Sequence, residues 1–304
     1  RIDASGGVID NTASLIRSGG TATLTAARFI NRSTLQGGQG TEGRSLFIQA
    51  GDVDNRDGAL RADDTLDIAA SRQVDNTRGL VSAGHILRIH DAAPLRALAI
   101  TNTDGTLIAG QLLEIDAASL TGDGKVLSLG DLSVRLTRDY IHTGVFAANG
   151  NASLVTSGNI VNRATLEAGR NLHLEAADID NLASGEIRGD STDISAAGTL
   201  INRGLIDGRE TRISANRLDN LGSGRIYGDD LAIQAKTLNN DVEGTQSATL
   251  AARNRLDLAV QSLGNREHAL IFSAGDMAIG GTLDANGRAI GLASRGFKPV
   301  VEIQ

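Results

Sequence analysis

Residues 162–181 read Asn162-Arg163-Ala164-Thr165-Leu166-Glu167-Ala168-Gly169-Arg170-Asn171-Leu172-His173-Leu174-Glu175-Ala176-Ala177-Asp178-Ile179-Asp180-Asn181. After Asn162 come an apolar pair, a small-residue turn, an alternating run ending in Ala176, and an aliphatic residue two positions before the next Asn. Period-two alternation in short runs bounded by Gly and Asn marks half-buried strands. No run here reaches ten residues at helical spacing, so helices should be scarce. Three short strands in about twenty residues describe one rung of a β-helix.

Working outward, the same marker, Asn two residues after an aliphatic (after Phe29 in one case), stands at Asn11, Asn31, Asn55, Asn76 and Asn102, and again at Asn162, Asn181, Asn202, Asn220, Asn240 and Asn265. The sixty residues between Asn102 and Asn162 divide into three steps if Gly122 and His142 hold the marker's place. The steps are then 20, 24, 21, 26, 20, 20, 20, 19, 21, 18, 20 and 25 residues. The alternating strand recurs as Leu66-Asp67-Ile68-Ala69, Leu113-Glu114-Ile115-Asp116, Leu231-Ala232-Ile233-Gln234 and Leu256-Asp257-Leu258-Ala259. A fixed period of this length is the signature of a solenoid. The pattern predicts an all-β chain: a right-handed parallel β-helix of about fourteen coils, one repeat segment over residues 1–304, least regular around 103–161.

A single rung cannot stand alone. Ordering it costs about 1–2 kcal/mol per residue in backbone entropy, and each inward aliphatic returns only about 1.5–3 kcal/mol. Stacking makes up the deficit by pairing each strand with its equivalents above and below, about 4.8 Å away. Fourteen rungs predict a rod on the order of 65 Å long. The chain opens at Arg1 inside the pattern, and an open stack exposes strand edges at both ends. Both points predict a piece excised from a much longer protein.

Composition agrees with a thin aliphatic core. There are 37 Gly and 2 Pro, and only five Phe, two Tyr and no Trp. No cysteine is present, which excludes disulfides and thiolate metal sites. A formal charge of −7 with no basic stripe disfavours nucleic acid, and no apolar run is long enough to span a membrane.

The marker Asn has a physical role in such a stack. Asn tolerates a left-handed backbone and bonds its side chain to nearby main chain; in register, the amides can form a ladder along one corner. Asp precedes it at Asp10, Asp54, Asp75, Asp180 and Asp219. The neighbouring coils are thus each other's first partners.

Motifs such as Val53-Asp54-Asn55-Arg56-Asp57-Gly58, Leu200-Ile201-Asn202-Arg203-Gly204 and Ala168-Gly169-Arg170-Asn171-Leu172 resemble the haemagglutinin repeats of filamentous-haemagglutinin-like exoproteins, the large partners of two-partner secretion systems. The resemblance covers roughly residues 5–290. It implies a β-helical shaft, exported by an outer-membrane transporter and secreted or displayed at the bacterial surface. Family members include adhesins and the stalks of contact-dependent growth inhibition proteins, which carry a toxin at their far end. The family's amino-terminal secretion domain and a carboxy-terminal toxin module are both missing from these residues.

Few motifs compete with a structural role. Arg188-Gly189-Asp190 spells an integrin-recognition tripeptide, but Gly-Asp or Gly-Arg recurs at this repeat position, as in Gly228-Asp229 and Gly208-Arg209. Gly37-Gly38-Gln39-Gly40-Thr41-Glu42 imitates one unit of a calcium-binding nonapeptide, and Asp52, Asp54 and Asp57 form an acidic cluster without EF-hand spacing. The histidines His85, His90, His142, His173 and His268 show no zinc-like spacing. No metal or cofactor is therefore expected. Long coils place surplus residues at 36–43, 90–97 (with Pro94) and 241–246. Tyr140 and His142, in the least regular coils, join Arg188, Gly189 and Asp190 as candidate contacts with a target-cell receptor.

Two functions follow. The first is a non-enzymatic shaft supporting adhesion or contact-dependent toxin delivery. The alternative is a polysaccharide-acting β-helix enzyme, lyase or glycosidase, which needs paired carboxylates in a groove and aromatic platforms for sugar rings. Tyr140 and Tyr227 stand far apart in sequence with no Trp to join them.

Overall fold

The computed structural model describes residues 1–93, 97–291 and 300–303. The fold is a parallel β-solenoid of about fourteen turns, with no helix among the described residues. Its contacts gather into two units, Arg1–Leu154 and Val155–Gln304, and each is a stack of coils.

In the second unit the deciding stretch folds as three strands, Thr165–Ala168, Asn171–Ala176 and Ile179–Asn181. The next coil begins at Glu186–Arg188, and its other two strands run on as one, Ser191–Asn202. Pairing is parallel and in register: Leu172 lies on Thr192, Leu174 on Ile194, Ala176 on Ala196, Ile179 on Leu200 and Asn181 on Asn202. Like therefore stacks on like. One inward file reads Leu174, Ile194, Ile213, Ile233, Leu258, and another Ile187, Ile206, Ile226, Leu250. All of these side chains are buried.

The Leu172 file turns polar at Thr192 and Thr211, yet both hydroxyls are satisfied. They donate to the carbonyls of Asp207 (2.9 Å) and Tyr227 (2.7 Å). A buried hydroxyl without such a partner would be costly.

The first unit repeats the design. Leu46, Leu66, Leu87, Leu113 and Leu132 form one buried file; Ile48, Ile68, Ile89, Ile115 and Val134 form its neighbour. Steps of unequal length keep this register because the surplus is absorbed at corners. Ala196 pairs with Ala215 but Thr199 with Arg217, so a bulge takes up one residue.

The long coils fall partly where expected. At 241–246 the chain leaves the coil as an antiparallel hairpin, Val242 opposite Ser247 and Glu243 opposite Gln246, turning at Gly244 with φ of 64°. The surplus at 36–43 is narrower than the sequence suggests. Gly40–Gly43 is the coil's own first strand, with Thr41 between Ile16 and Leu60, and only the turn before it is extra. Pro94 lies outside the described residues; before it, Asp91 accepts from the amides of Ala93 (2.8 Å) and Leu98 (2.9 Å).

A fourth excursion escapes the sequence pattern. Asn265 pairs with Ile303, a step far longer than any other. Between them a second antiparallel hairpin, Thr282–Leu283 with Ala289–Ile290, folds over the outer face of the preceding coils. There the amide of Ala289 donates to Asp257 at 2.7 Å, and the outward-facing Asp257 and Ala259 become buried.

Candidate functional site

The marker asparagines form two buried files. In the first unit Asn11, Asn31, Asn55, Asn76 and Asn102 each donate through Nδ2 to Oδ1 of the next, at 2.8, 2.8, 2.7 and 2.8 Å. In the second unit Asn162, Asn181, Asn202, Asn220, Asn240 and Asn265 do the same, at 2.8, 2.7, 2.8, 2.7 and 2.8 Å. The second amide hydrogen reaches the carbonyl that opens a neighbouring coil's first strand, such as Ala59 from Asn31, Leu205 from Asn181 and Leu270 from Asn240. One side chain thus ties corner to corner and corner to strand. A buried primary amide would otherwise be a penalty.

The Asn itself is not the left-handed residue. Positive φ falls two positions later, at Ala13, Ser33, Asp57, Arg78, Asp104 and Glu267, and at Gly222 in the coil of Asn220. In these coils the Asn stands at or next to the strand's end with its side chain committed to the ladder, and the reversal falls in the turn that follows. Gly58, Gly79 and Gly105 then close the corner. A Cβ at any of the three would collide with the Oδ1 of the Asn three residues earlier.

Where the marker lapses, other groups fill the corner. Thr101 pairs with Thr121, which puts Gly122 on the site of Asn102, and Gly122 takes φ of 104°. Tyr140 and His142 were expected as surface contacts, and their strand phase overturns that. They are 4% and 2% exposed and face inward, with Ile141 between them outside. Their rings stack at 5.9 Å, the Tyr140 hydroxyl lies 3.2 Å from His142 Nδ1, and Phe146 packs edge-on at 6.3 Å. Burial pushes the Tyr140 phenol well above its ordinary pKa.

Outside, charge is matched locally. In Arg188-Gly189-Asp190 the Arg pairs with Glu186 at 3.0 Å, and Asp190 takes a two-pronged contact from Arg209 at 3.0 and 3.1 Å. That guanidinium holds the Asp190 carboxyl below its usual range. The tripeptide sits on a tight turn with both charged ends engaged.

Asp52, Asp54 and Asp57 do not converge. Asp52 pairs with Arg72 at 2.7 Å, Asp57 with Arg78 at 2.7 Å, and the buried Asp54 collects Arg28, Arg32 and Arg56. In the nonapeptide-like run, Thr41 is buried against Asn31 at 2.9 Å and Glu42 pairs with Arg17 at 2.8 Å. Among the described residues no three His, Asp or Glu side chains gather to hold a metal. His85 and His90 face the carboxylates of Asp64 and Asp67, and His173 faces those of Asp193 and Glu175.

One surface feature was not foreseen. Tyr227, Ala251 and Phe272 share one outward file, in register on three coils of the second unit. They line a groove of about 520 Å³ whose lip carries Asp207, Arg209, Asp229 and Arg253. Counting Tyr and Trp alone missed it, because the partner of Tyr227 is a Phe 45 residues on, two steps of the period plus the 241–246 hairpin.

Parallel coils held by buried amide files define a structural repeat protein, a β-solenoid. The haemagglutinin repeat matches residues 1–43, 41–107, 89–164 and 148–204, and the chain belongs to that family. It is also similar to the deoxyribonuclease CdiA of Dickeya dadantii (strain 3937), 27% identical over 62% of this chain and 6% of that protein. A shorter stretch, 24% of the chain, is 38% identical to 2% of the tRNA nuclease CdiA of Escherichia coli (strain STEC_O31). The chain therefore spans only a small fraction of the curated relatives it matches. No solved structure matches it.

Proposed function

We propose that residues 1–304 are a single repeat segment from the shaft of a much longer secreted bacterial exoprotein, and that this shaft holds or makes contact between cells. In this reading an outer-membrane two-partner transporter exports it, and it works at the cell surface as an adhesin or as the stalk of a contact-dependent toxin. The observation that carries the proposal is the coil-on-coil register within each unit, kept through local bulges, where buried residues serve stacking and outward charges are paired locally. Membership in the haemagglutinin-repeat family and similarity to two CdiA proteins support it. In this reading any nuclease activity of the parent protein lies outside this segment, whose Asp52, Asp54 and Asp57 are each bound to arginines.

The test is binding of the purified, labelled segment to bacterial and epithelial cells, with an unrelated β-helix as control. Saturable binding above the control makes the stretch an adhesive surface. Binding equal to the control, by a correctly folded segment, removes the contact role and leaves a spacer.

A further inference from the structure

The groove on the second unit has the chemistry of a binding site. Tyr227 and Phe272 stand two coils apart with Ala251 between them, so at roughly 4.8 Å per coil the two backbones are about 10 Å apart. Phe272 is 48% exposed, whereas Phe29 and Phe146 are fully buried. Two carbon contacts of about 3.5–4.0 Å each, plus the pucker of a saturated ring, fill that interval. A flat aromatic guest would leave slack. Gly189, Gly208 and Gly228 line the groove without side chains to fill it.

The lip narrows the class further. Asp207 and Asp229 offer only acceptors, Arg209 and Arg253 only donors, and their charges cancel. Arg253 bonds to Asp229 at 3.0 Å, and Arg209 is anchored from behind by Asp190. An ionic ligand would meet an opposing charge wherever it met a favourable one. A neutral ligand rich in hydroxyls finds donors and acceptors together, beside an apolar wall.

We propose that this groove binds one hexopyranose unit of a neutral, unbranched saccharide, its ring between Tyr227 and Phe272 and its hydroxyls bonded by the four charged groups of the lip. The site gives the contact reading above a ligand class and rests on it only for its biological setting.

The chain reports on the site itself. It has no Trp and two Tyr, of which Tyr140 is buried and Tyr227 lines the groove. Titration with cellohexaose, maltohexaose and a β-linked galactobiose, read by tyrosine fluorescence and calorimetry, should give saturable binding to at least one, with Kd about millimolar. Phe272→Ala should weaken it about tenfold or more, and Ala251→Leu, which fills the interval, should abolish it. Phe47→Ala, on an exposed ring of the other unit, should leave it unchanged.

The proposal is overturned if none of the three sugars binds the folded chain, if Phe272→Ala binds as well as the parent, or if heparin occupies the groove in place of the neutral sugars. Sugar binding by a chain that does not bind cells would establish the site and sink the contact role. Cell binding without sugar binding would do the reverse.

Discussion

Asn202 accepts from Asn181, donates to Asn220, and donates again to the carbonyls of Gly204 and Arg225. Replacing it with Ala leaves a buried donor above and a buried acceptor below without their ladder partners, each at about 1–3 kcal/mol. Asn202→Ala should therefore lower unfolding free energy by about 2–5 kcal/mol, measured by denaturant melting, against under about 0.5 kcal/mol for an exposed control such as Lys236→Ala. A loss no larger than the control's would show that the ladder is incidental.

His173 carries a pH-dependent contribution. The hydrogen bond with Asp193 raises its pKa above the ordinary 6.5, against the opposing effect of burial. A raised folded pKa means the stabilisation is complete below the unfolded value and fades as pH rises through the folded one. An NMR titration should find His173 above 6.5, and Asp193→Asn should bring it down. An unchanged midpoint in that variant would refute the pairing. At this scale the inward and outward alternation of Leu172-His173-Leu174 was readable, because strand phase is a local property. The ionic partners were not, since His173 and Asp193 meet only through the register of two coils.

Elements differ in how much they owe to the stack. The 241–246 hairpin lies outside the coil and touches it chiefly through Glu243, which pairs with Arg203 at 2.7 and 3.0 Å across two coils. Both partners are partly solvated, and such pairs contribute under about 1 kcal/mol. Excising residues 242–246 should cost no more than about 1 kcal/mol by thermal or denaturant melting; a larger loss would mean the hairpin is part of the core.

The excursion before Asn265's partner Ile303 shows where sequence reading stops. Its hairpin had a local sign, Asn286-Gly287, a strong two-residue turn signal. Without a marker Asn beyond it the period could not be extended to count the surplus. Tyr140 and His142 were misplaced for the opposite reason. Irregularity in the repeat was read as a specialised surface, whereas His142 stands at the marker position and both rings point inward.

For the molecule as a whole, coils are units of stability coupled to their neighbours. Deleting residues 182–202 joins Asn181 to Arg203, reproducing the native Asn202-Arg203 junction, and brings Asn181 opposite Asn220. The shortened chain should still melt cooperatively, with a denaturant slope reduced in proportion to the surface lost. Non-cooperative melting would count against stacked coils. The class of fold was legible because every coil restates it; the groove was not, because it is a relation among three coils.

The amide files have one more property: they have a sense. In both units every Nδ2 donates towards the later coil and every Oδ1 receives from the earlier one. Each coil that carries the Asn therefore ends in a plug and begins in a socket, and those coils share the same fitting. A coil borrowed from another repeat of this kind can be spliced at any marker Asn in the same chain direction, but one threaded backwards would set donor against donor. Such a chain can lengthen, shorten or exchange cassettes by recombination at the Asn without redesigning the joint. The natural unit of change in this protein is then the coil rather than the residue.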